Sequence, residues 1–434
     1  MEKITLFWFR RDLRLHDNAG LYYALKEHQN VLPIFIFDTD ILNHIEDKED
    51  ARVTFIYDTV LELKKALANF GSSLYLAHGS PLTVFQQLKA KYNIHAIYTN
   101  QDYEPSAIQR DLKIETWAQE NGITFHSYKD QVIFEKDEIL NDSGLPYRVY
   151  TPYKKKWLSR LNNFYLKAYP TEKYFHNLLS ISFEKTYELD EIGFKRSKIS
   201  IPSSQILQKV IRTYDQTRDY PAIEEGTSKL GIHFRFGTIS VREKARKALE
   251  LNETWLSELI WREFFMQLLF HFPDVVHQSF NRKFDVIQWR NDEKDFEKWC
   301  QGKTGYPLVD AGMRELNATG HMHNRVRMVV ASFLTKHLFI DWRWGEAYFA
   351  QKLLDYDLSA NNGNWQWCAG TGADAQPYFR IFNPVAQQEK FDPEFKYIKK
   401  WVPELGTSSY VLPMVDHKFA VQRAKNGFSI LAKN

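Results

Sequence analysis

The chain has 434 residues, which is too long for one ordinary hydrophobic core and predicts two domains. Its 44% hydrophobic and 26% charged residues are typical of a soluble globular protein. The net charge of +3 hides an asymmetry, because residues 1–130 carry 14 Lys and Arg against 18 Asp and Glu, while the rest carries 43 against 36. The basic second part favours a polyanionic partner.

Cysteine usage and the N-terminal residues indicate the compartment. Cys300 and Cys368 have no metal-ligand spacing, which argues against disulfides and a zinc site and favours a reducing compartment. The apolar run 1–9 is followed by Arg10 and Arg11, which is the wrong order for a signal peptide, and no uncharged stretch could span a bilayer. We therefore expect a cytoplasmic protein without a metal site.

The first 130 residues alternate short apolar runs with longer amphipathic ones. The apolar runs predict buried strands at 4–9, 31–37, 73–77, 96–99 and 123–126. The amphipathic runs predict helices at 50–70, 81–92 and 105–121. Strands separated by helices of this length imply parallel crossovers, so residues 1–130 are predicted to form an α/β domain with a doubly wound parallel sheet.

The remaining chain is predicted to contain a connector and an all-helical domain. Residues 131–200 lose the regular pattern and are broken by Pro and Gly, which predicts an interdomain connector. Residues 201–434 form the helical domain, with apolar spacing near 3.6 in six segments: 203–215, 240–251, 254–272, 307–319, 323–337 and 346–354. The first predicted strand leads into Arg10–Arg14 without a Gly-rich turn, so no dinucleotide is expected there in the usual way.

Residues 227–231 read Thr-Ser-Lys-Leu-Gly and precede a basic helical stretch. Hydroxyls, a glycine and backbone N–H groups at the start of a helix form a seat for a phosphate. Ordinary N-capping explains the same Thr-Ser pair, so both interpretations stay open. The phosphate hypothesis makes five residues candidates for binding: Thr227, Ser228, Lys229, Leu230 and Gly231.

Two further helical segments carry polar groups on defined faces. Glu258, Trp261 and Arg262 lie three and four residues apart and share one face, which suits a flat base that needs stacking and a hydrogen-bonding edge. A salt-bridged exposed face is the alternative. Arg325 and Arg327 point to different faces, so one could meet an external phosphate and the other an internal cofactor.

Residues 355–367 hold the densest chemical signal. They contain two carboxylates, two consecutive Asn and two Trp within thirteen residues, which packing alone does not explain. Buried Asp and Asn need hydrogen-bond partners, and the edge of an isoalloxazine ring or a ribose would provide them. A polar surface loop is the alternative, but it does not account for Trp365 and Trp367.

Seven motifs in order resemble those of the photolyase–cryptochrome family. They read FWFRRDLRLHDN, GTSKL, ELIWREFF, GKTGYPLVDAGMREL, HNRVRM, DYDLSANNGNWQW and PYFRIFNPVAQQEKFDP. The resemblance runs essentially end to end and implies the same fold as the periodicity does. It is greatest to class I photolyases that repair cyclobutane pyrimidine dimers, and it implies DNA containing such dimers as the partner and a monomeric protein.

The resemblance also implies roles for single residues. FAD contacts carry over to Tyr214, Thr227, Ser228, Lys229, Leu230, Gly231, Trp255, Arg262, Arg327, Asp355, Tyr356, Asp357 and Asn361. Lesion and DNA contacts carry over to Glu258, Trp261, Asn324, Arg325, Met328 and Trp367. Catalytic roles fall to Glu258, to Asn361 facing flavin N5, and to an electron chain of Trp365, Trp342 and Trp289. Gly231 departs from the Ser of many members and lacks its hydroxyl.

The implied reaction is light-driven repair, in which non-covalent FAD in its reduced anionic form gives one electron to the dimer. A cryptochrome-type blue-light photoreceptor is the alternative from another class, and a nucleic-acid-binding flavoprotein without repair activity is a third. Plant cryptochromes carry Asp where this chain has Asn361. The positions that hold an antenna folate in some members correspond here to Ala107 and Val276–His277, so the resemblance argues against folate and leaves the antenna chromophore open.

Overall fold

The computed structural model describes residues 2–183, 185–375 and 377–429. They form two compact units, each built from separate stretches of chain. The first unit comprises the described residues up to 138, with 160–204 and 230–247, and the second comprises 139–159, 205–229 and the described residues from 248 onward. The predicted domain limits at residues 130 and 200 stay a prediction.

The first unit contains a five-stranded parallel sheet in the order β3–β2–β1–β4–β5. The strands are β1 (Lys3–Phe9), β2 (Val31–Asp38), β3 (Tyr75–Gly79), β4 (Asn93–Asn100) and β5 (Thr124–Tyr128). The predicted doubly wound α/β fold is confirmed, and all five predicted strands form within a few residues of their expected bounds.

Helices of the first 130 residues connect these strands. They are α1 (Ala19–Glu27), α2 (Thr39–Leu42), α3 (Ala51–Ala68), α4 (Pro81–Lys91) and α5 (Pro105–Glu120). The following segment to residue 251 contains α6 (Tyr150–Arg160), α7 (Asn163–Leu166), α8 (Gln208–Arg212), α9 (Tyr214–Thr217), α10 (Gly231–Phe236) and α11 (Val241–Leu251).

The rest of the described chain is helical, as predicted. Its helices are α12 (Glu253–His271), α13 (Glu293–Cys300), α14 (Pro307–Thr319), α15 (Asn324–Ser332), α16 (Trp342–Lys352), α17 (Leu358–Ala369), α18 (Pro384–Phe391), α19 (Lys396–Trp401) and α20 (His417–Phe428). A π-helical turn (Phe333–Leu338) follows α15, and short 3₁₀ turns occupy Lys136–Glu138, Thr171–Asn177, Pro273–Val276 and Arg282–Val286.

Strand β1 shows why the sheet is covered on both faces. Side chains alternate along a strand, so Leu6 and Trp8 enter one apolar cluster while Phe7 and Phe9 enter the other. A strand buried on both sides reads as a continuous apolar run, which is the pattern of β1 and β2. Because β1 and β2 are parallel and buried on both faces, their carboxyl ends are held firmly at the same edge of the sheet.

The core of the second unit depends on close helix approach at glycine. A Cβ added to Gly345 would lie 2.1 Å from Cη2 of Trp365, and one added to Gly363 would lie 2.1 Å from Cδ1 of Phe265. Both distances are far below van der Waals contact. Glycine at these positions therefore lets an aromatic ring rest directly on the backbone of α16 or α17.

Two differences from the predicted helices have local causes. The predicted helix 203–215 forms only as α8 and α9, interrupted at Thr213, whose hydroxyl donates to the Lys209 carbonyl four residues back. Helix α17 is absent from the prediction because Ser, Asn and Gly have low helix propensity. It is delimited by the Asp357 N-cap and by Gly370 with a φ of +81°.

A buried charge network stabilises the first unit. The carboxylate of Asp130 accepts from Nη2 of Arg14 at 2.7 and 2.8 Å and from Nη2 of Arg242 at 2.8 Å, and Arg242 also donates to Asp17. Burial raises the pKa of Asp130, but the two guanidinium groups outweigh burial and lower that pKa to about 2. The carboxylate thus stays ionised in a water-poor site.

We expect Asp130→Asn to lower the free energy of unfolding by about 3–5 kcal/mol, because it leaves two buried guanidinium groups without their shared anion. Since the folded pKa of Asp130 lies below its unfolded value, the stabilisation is present above about pH 4 and is lost as the pH falls toward 2. Urea unfolding at several pH values measures both effects.

The exposed pair Arg196–Asp58 provides the matched control. Asp58→Asn should cost about 1 kcal/mol or less, because a solvated ion pair contributes little. Equal losses of unfolding free energy in the two variants would show that the buried network stabilises the fold no more than an exposed ion pair does.

Candidate functional site

A cavity of the second unit lies among α15, α16, α17 and the segment that leads into α17. Its described lining residues are Asn324, Arg327, Met328, Ala331, Phe349, Leu353, Asp355, Tyr356, Asp357, Ala360, Asn361, Asn364, Trp365 and Cys368. Eight of them are residues for which the sequence predicts a function. Candidates for cofactor contact and candidates for lesion contact therefore meet in one cavity.

Arg327 and Asp355 form an ion pair at this cavity. Nη2 of Arg327 donates to both carboxylate oxygens of Asp355 at 3.0 and 3.1 Å, and its Nε donates to the Met322 carbonyl at 2.7 Å. The backbone contact orients the guanidinium plane, and the carboxylate neutralises its charge. The pair presents polar N–H and oxygen groups without a net charge.

Asp357 lines the cavity and is also the N-cap residue of α17. Its Oδ1 accepts from the backbone N–H groups of Ser359 at 3.1 Å and Ala360 at 3.3 Å, and from the Ser359 hydroxyl. A carboxylate in this position caps the helix and offsets its positive end. Asp357 therefore fixes the start of α17 and, with it, the direction of the next helical turn.

Asn361, on that turn, is held by a residue that the sequence analysis missed. Its amide nitrogen donates to the backbone carbonyl of Glu346 at 3.1 Å and to its Oε1 at 2.8 Å. Because both partners are acceptors, they determine which way the amide points and leave Oδ1 as an acceptor. Burial raises the pKa of Glu346, and the hydrogen bond from Asn361 opposes that shift. The only sequence signal for Glu346 is one acidic residue in an aromatic segment.

Glu258 forms an ion pair that the sequence does not reveal. Nη1 of Arg218 donates to Oε1 of Glu258 at 2.5 Å. Burial raises the pKa of Glu258, and Arg218 opposes the shift without cancelling it. Tyr214, also a predicted contact, lies beside this pair, with the Arg218 guanidinium 5.8 Å from its ring centre. Burial, with the Glu258 charge, raises the pKa of its phenol.

The neighbouring residue Asp219 extends this pair to α15. Its Oδ1 accepts from Nη2 of Arg325 at 2.7 Å, and the Arg325 guanidinium lies 4.4 Å from the ring centre of Phe391. Nη1 of Arg325 also lies 3.8 Å from the sulfur of Met328. Arg218 and Asp219, an adjacent pair of opposite charge, thus connect Glu258 on α12 with Arg325 on α15.

Trp261 is supported by a second residue that the sequence analysis missed. The Trp261 ring is stacked on Tyr150, with centroids 3.5 Å apart and planes at 6°, and lies 5.6 Å from Phe265. The Tyr150 hydroxyl donates to the Ser257 carbonyl at 2.9 Å. Tyr150 therefore covers one face of the indole and limits its rotation, and nothing in the local sequence distinguishes it from a core residue.

The three Trp residues of the predicted electron chain are buried or half-buried. Trp365 is buried, lines the cavity and contacts Phe349 edge to face at 5.0 Å. Trp342 is buried, and the Arg343 guanidinium lies 4.6 Å from its ring centre. Trp289 is half-buried and packs against Phe339 at 5.1 Å and Phe428 at 5.9 Å.

The other predicted contacts lie outside the described lining of this cavity. In the second unit they are Tyr214, Thr227, Ser228, Lys229, Trp255, Glu258, Trp261, Arg262, Arg325 and Trp367. Lys229 has a φ of +52°, in the left-handed region, so the chain turns sharply at the predicted phosphate seat. Leu230 and Gly231 belong to the first unit, where Leu230 is buried and Gly231 begins α10.

The first unit has a cavity of its own, of about 410 Å³, at the carboxyl ends of the strands. Its walls include Trp8, Phe37, Asp38 and Arg110, and Ala107 lines it too. The guanidinium groups of Arg10 and Arg110 lie 4.8 and 5.0 Å from the Trp8 ring centre. This edge of a doubly wound sheet is the usual place for a ligand.

No cluster of His, Cys, Asp or Glu in the described residues is arranged to hold a metal ion. Nor does the described chain contain a helix long and apolar enough to cross a membrane.

Comparison with known proteins matches both parts of the chain. A family model described as DNA photolyase matches residues 5–173, and one described as FAD binding domain of DNA photolyase matches residues 255–409. The deoxyribodipyrimidine photo-lyase of Synechococcus sp. is 36% identical over 97% of this chain and 95% of its own length. The chain belongs to the DNA photolyase family.

Solved structures of this family share the fold. A class III photolyase from Agrobacterium tumefaciens is 33% identical with a TM-score of 0.89, covering all of this chain and 98% of its own. An archaeal photolyase from Sulfolobus tokodaii with two FAD molecules is 39% identical with a TM-score of 0.83, covering 98% and 100%. A cryptochrome from Synechocystis sp. is 26% identical with a TM-score of 0.87, covering 98% and 99%. The photolyases are thus the more similar by sequence.

The photolyase family model assigns FAD to the second unit, and the cavity residues fit a flavin. An isoalloxazine edge alternates donors and acceptors, and the cavity offers the guanidinium of Arg327, the carboxylate of Asp355 and the oxygen of Asn361. Buried polar groups of this kind need such partners. The predicted FAD cofactor is confirmed at the level of the family, while the individual contacts stay predictions.

We expect Asp355→Ala to lose most of the bound FAD, because it removes an acceptor and leaves the Arg327 charge uncompensated at the cavity. Flavin absorbance per chain after purification measures the loss. The control is Asp274→Ala, which breaks an exposed pair with Arg282 in the same unit and should keep full flavin content. Normal flavin content in Asp355→Ala would contradict the assignment of this cavity.

Proposed function

We propose that this chain repairs cyclobutane pyrimidine dimers in DNA with light, using FAD held non-covalently in the second unit as the reduced anion. The supporting observation is that one cavity unites Asn324 and Met328, predicted to contact the lesion, with Arg327, Asp355 and Asn361, predicted to contact the flavin. A lesion and a flavin held by these residues would be neighbours, and proximity is what electron transfer requires. The deoxyribodipyrimidine photo-lyase relatives support the same reaction.

Bound FAD supplies, on absorbing blue or near-ultraviolet light, the electron that opens the cyclobutane ring. The chain positions the reacting groups and controls the charge around them. Asn361 offers an oxygen acceptor whose direction Glu346 determines. Arg327 and Asp355 would present a compensated ion pair to the bound cofactor, so that a negative charge arriving there would meet oriented dipoles.

Glu258 is the residue proposed to act on the lesion itself. Glu258 is paired with Arg218 as a carboxylate, but burial raises its pKa, so that it takes up a proton at a higher pH than an ordinary glutamate, and once protonated it would donate a hydrogen bond to the lesion. Arg218 at 2.5 Å adds positive charge on the same side. Together the two residues would hold a pyrimidine carbonyl and stabilise the extra electron while the ring opens.

Recognition of damage requires that the dimer leave the duplex. Extrusion costs a few kcal/mol, and less at a damaged and poorly stacked step. Trp261, stiffened by Tyr150, would offer a ring on which the extruded pyrimidine stacks, and Met328 would fill the irregular gap beside the cyclobutane. Basic side chains would hold backbone phosphates without reading sequence. The pairing of Arg325 with Asp219 supports an internal role for Arg325, and its contact with DNA stays a prediction.

The cryptochrome alternative is less favoured by the structure of the flavin cavity as well as by the relatives. The amide of Asn361 donates to the carboxyl group of Glu346. An aspartate at 361, the residue of plant cryptochromes, would place two carboxyl groups in contact and force one of them to keep a proton. The asparagine avoids this conflict and supports the repair assignment.

We also propose an antenna chromophore in the cavity of the first unit. The cavity is large enough for a flat ring system, and aromatic and guanidinium groups of Trp8, Arg10 and Arg110 form part of its wall. Ala107 lines this cavity and supplies no carboxylate for a folate. A deazaflavin or a second flavin suits it better, and the archaeal relative with two FAD molecules is a precedent.

Repair of defined lesions with and without light tests the proposed function. Purified protein with chemically reduced flavin should restore DNA that contains cyclobutane dimers under blue light and do nothing in the dark. It should leave the (6-4) lesion unrepaired. Chromophores released by denaturing the same preparation identify any antenna. Light-dependent reversal of (6-4) lesions with cyclobutane dimers untouched, or no repair at all, would refute the proposal.

Trp261→Ala should weaken binding to dimer-containing DNA by about ten- to a hundredfold, since stacking contributes roughly 1–3 kcal/mol per base. Affinity for undamaged DNA should hardly change, because phosphate contacts remain. Fluorescence anisotropy with matched damaged and undamaged duplexes measures both affinities. Tyr150→Phe is the companion variant, because it keeps the stacked ring and removes only the hydroxyl; it should retain lesion binding. An equal loss for both DNAs would place Trp261 outside the lesion site.

A further inference from the structure

Trp365 has an indole neighbour that lies outside the predicted electron chain. Its ring lies 6.2 Å from that of Trp299, edge to face at 70°, and Trp299 lies 5.8 Å from Tyr348 at 64°. Trp299 is fully buried on α13, and Tyr348 is half-buried on α16. Two successive ring contacts thus connect the wall of the flavin cavity to a phenol near the surface.

We propose that Trp299 and Tyr348 form a second branch for the electrons that reduce the flavin, beginning at Trp365 and ending at Tyr348. The proposal rests on the proposed function for its first step, the loss of one electron from Trp365 to photo-excited oxidised FAD. One electron then passes from Trp299 to Trp365, and one from Tyr348 to Trp299.

The surroundings of the two tryptophans favour this branch. The Arg343 guanidinium lies 4.6 Å from the ring centre of Trp342, and a cation over an indole makes loss of an electron from that indole harder. Among the described residues, Nε1 of Trp342 also has no hydrogen-bond acceptor. Trp299 is instead surrounded by the uncharged rings of Phe296, Phe349 and Tyr348, and its Nε1 donates to the Val330 carbonyl at 3.3 Å.

Tyr348 is suited to be the end of the branch because its proton can leave. Its hydroxyl donates to Oδ1 of Asn317 at 2.6 Å, and Asn317 is exposed. The buried carbonyl that binds Nε1 of Trp299 is not a base, so an oxidised Trp299 keeps its proton and can only accept an electron from a neighbour. Oxidised Tyr348 loses its phenolic proton to water beside Asn317 and becomes a neutral radical. An external thiol then returns one electron and one proton, and two thiyl radicals combine to a disulfide.

Electron paramagnetic resonance of illuminated protein, frozen in the light, tests the end point. The protein carries oxidised FAD and ring-deuterated tyrosine, which identifies a tyrosyl radical by its narrowed spectrum. We expect this signal in the unchanged protein and its loss in Tyr348→Phe and Trp299→Phe. Trp344→Phe, one helical turn from Tyr348 on α16, is the matched control and should keep the signal. A tyrosyl signal that persists in Tyr348→Phe overturns the end point.

Photoreduction rates with an external thiol test the branch. Trp289→Phe interrupts the predicted chain and should leave slower photoreduction, which is lost when Tyr348→Phe is added. Loss of photoreduction in Trp289→Phe alone would overturn the branch. Trp365→Phe should abolish both routes; a normal rate there would overturn the branch together with the predicted chain, while leaving the repair assay as an independent test of the proposed function. Tyr348→Phe keeps the ring, so the test holds even where Trp299→Phe fails to fold.

Discussion

Two ion pairs formed by the consecutive residues Arg218 and Asp219 connect helices of the second unit's site. Arg218 pairs with Glu258 on α12 and Asp219 pairs with Arg325 on α15, so adjacent residues of opposite charge bind helices from either side. The connection joins the helices that carry the lesion candidates Glu258, Trp261, Asn324 and Met328. These side chains are partly buried, and the alternation of signs along Glu258, Arg218, Asp219 and Arg325 gives each charge a partner of opposite sign.

Polar groups are also paired at the flavin cavity. Asp355 balances Arg327, and Glu346 receives the amide of Asn361 instead of a second carboxyl group. Polar groups are thus held in pairs with little net charge before a ligand arrives. A site prepared in this way need not reorganise when a charge moves through it, which is the general advantage of a protein over water as a medium for electron transfer.

Much of the fold could be predicted because it follows from local periodicity. The apolar runs of β1 and β2 and the 3.6-residue spacing of α12 and α14 can be read directly from the sequence. The cavity candidates on α15 and α17 came from dense polar motifs and a family resemblance. Arg218, Glu346 and Tyr150 could not be found in this way, because each acts through a partner 15 to 111 residues distant in sequence and looks locally like an ordinary surface charge or core ring.

The contact between Gly345 and Trp365 bears on the rate of the predicted electron transfer through Trp365. With no side chain at 345, the backbone of α16 lies directly against the indole, and Phe349 closes another side of it. The ring therefore has little room to tilt on these two sides. When an indole so confined changes its charge, its surroundings rearrange very little. In the predicted electron chain, a small reorganisation energy at Trp365 would allow an electron to move before the excited state decays, so the absence of a side chain at Gly345 would help to determine how much of the absorbed light is used.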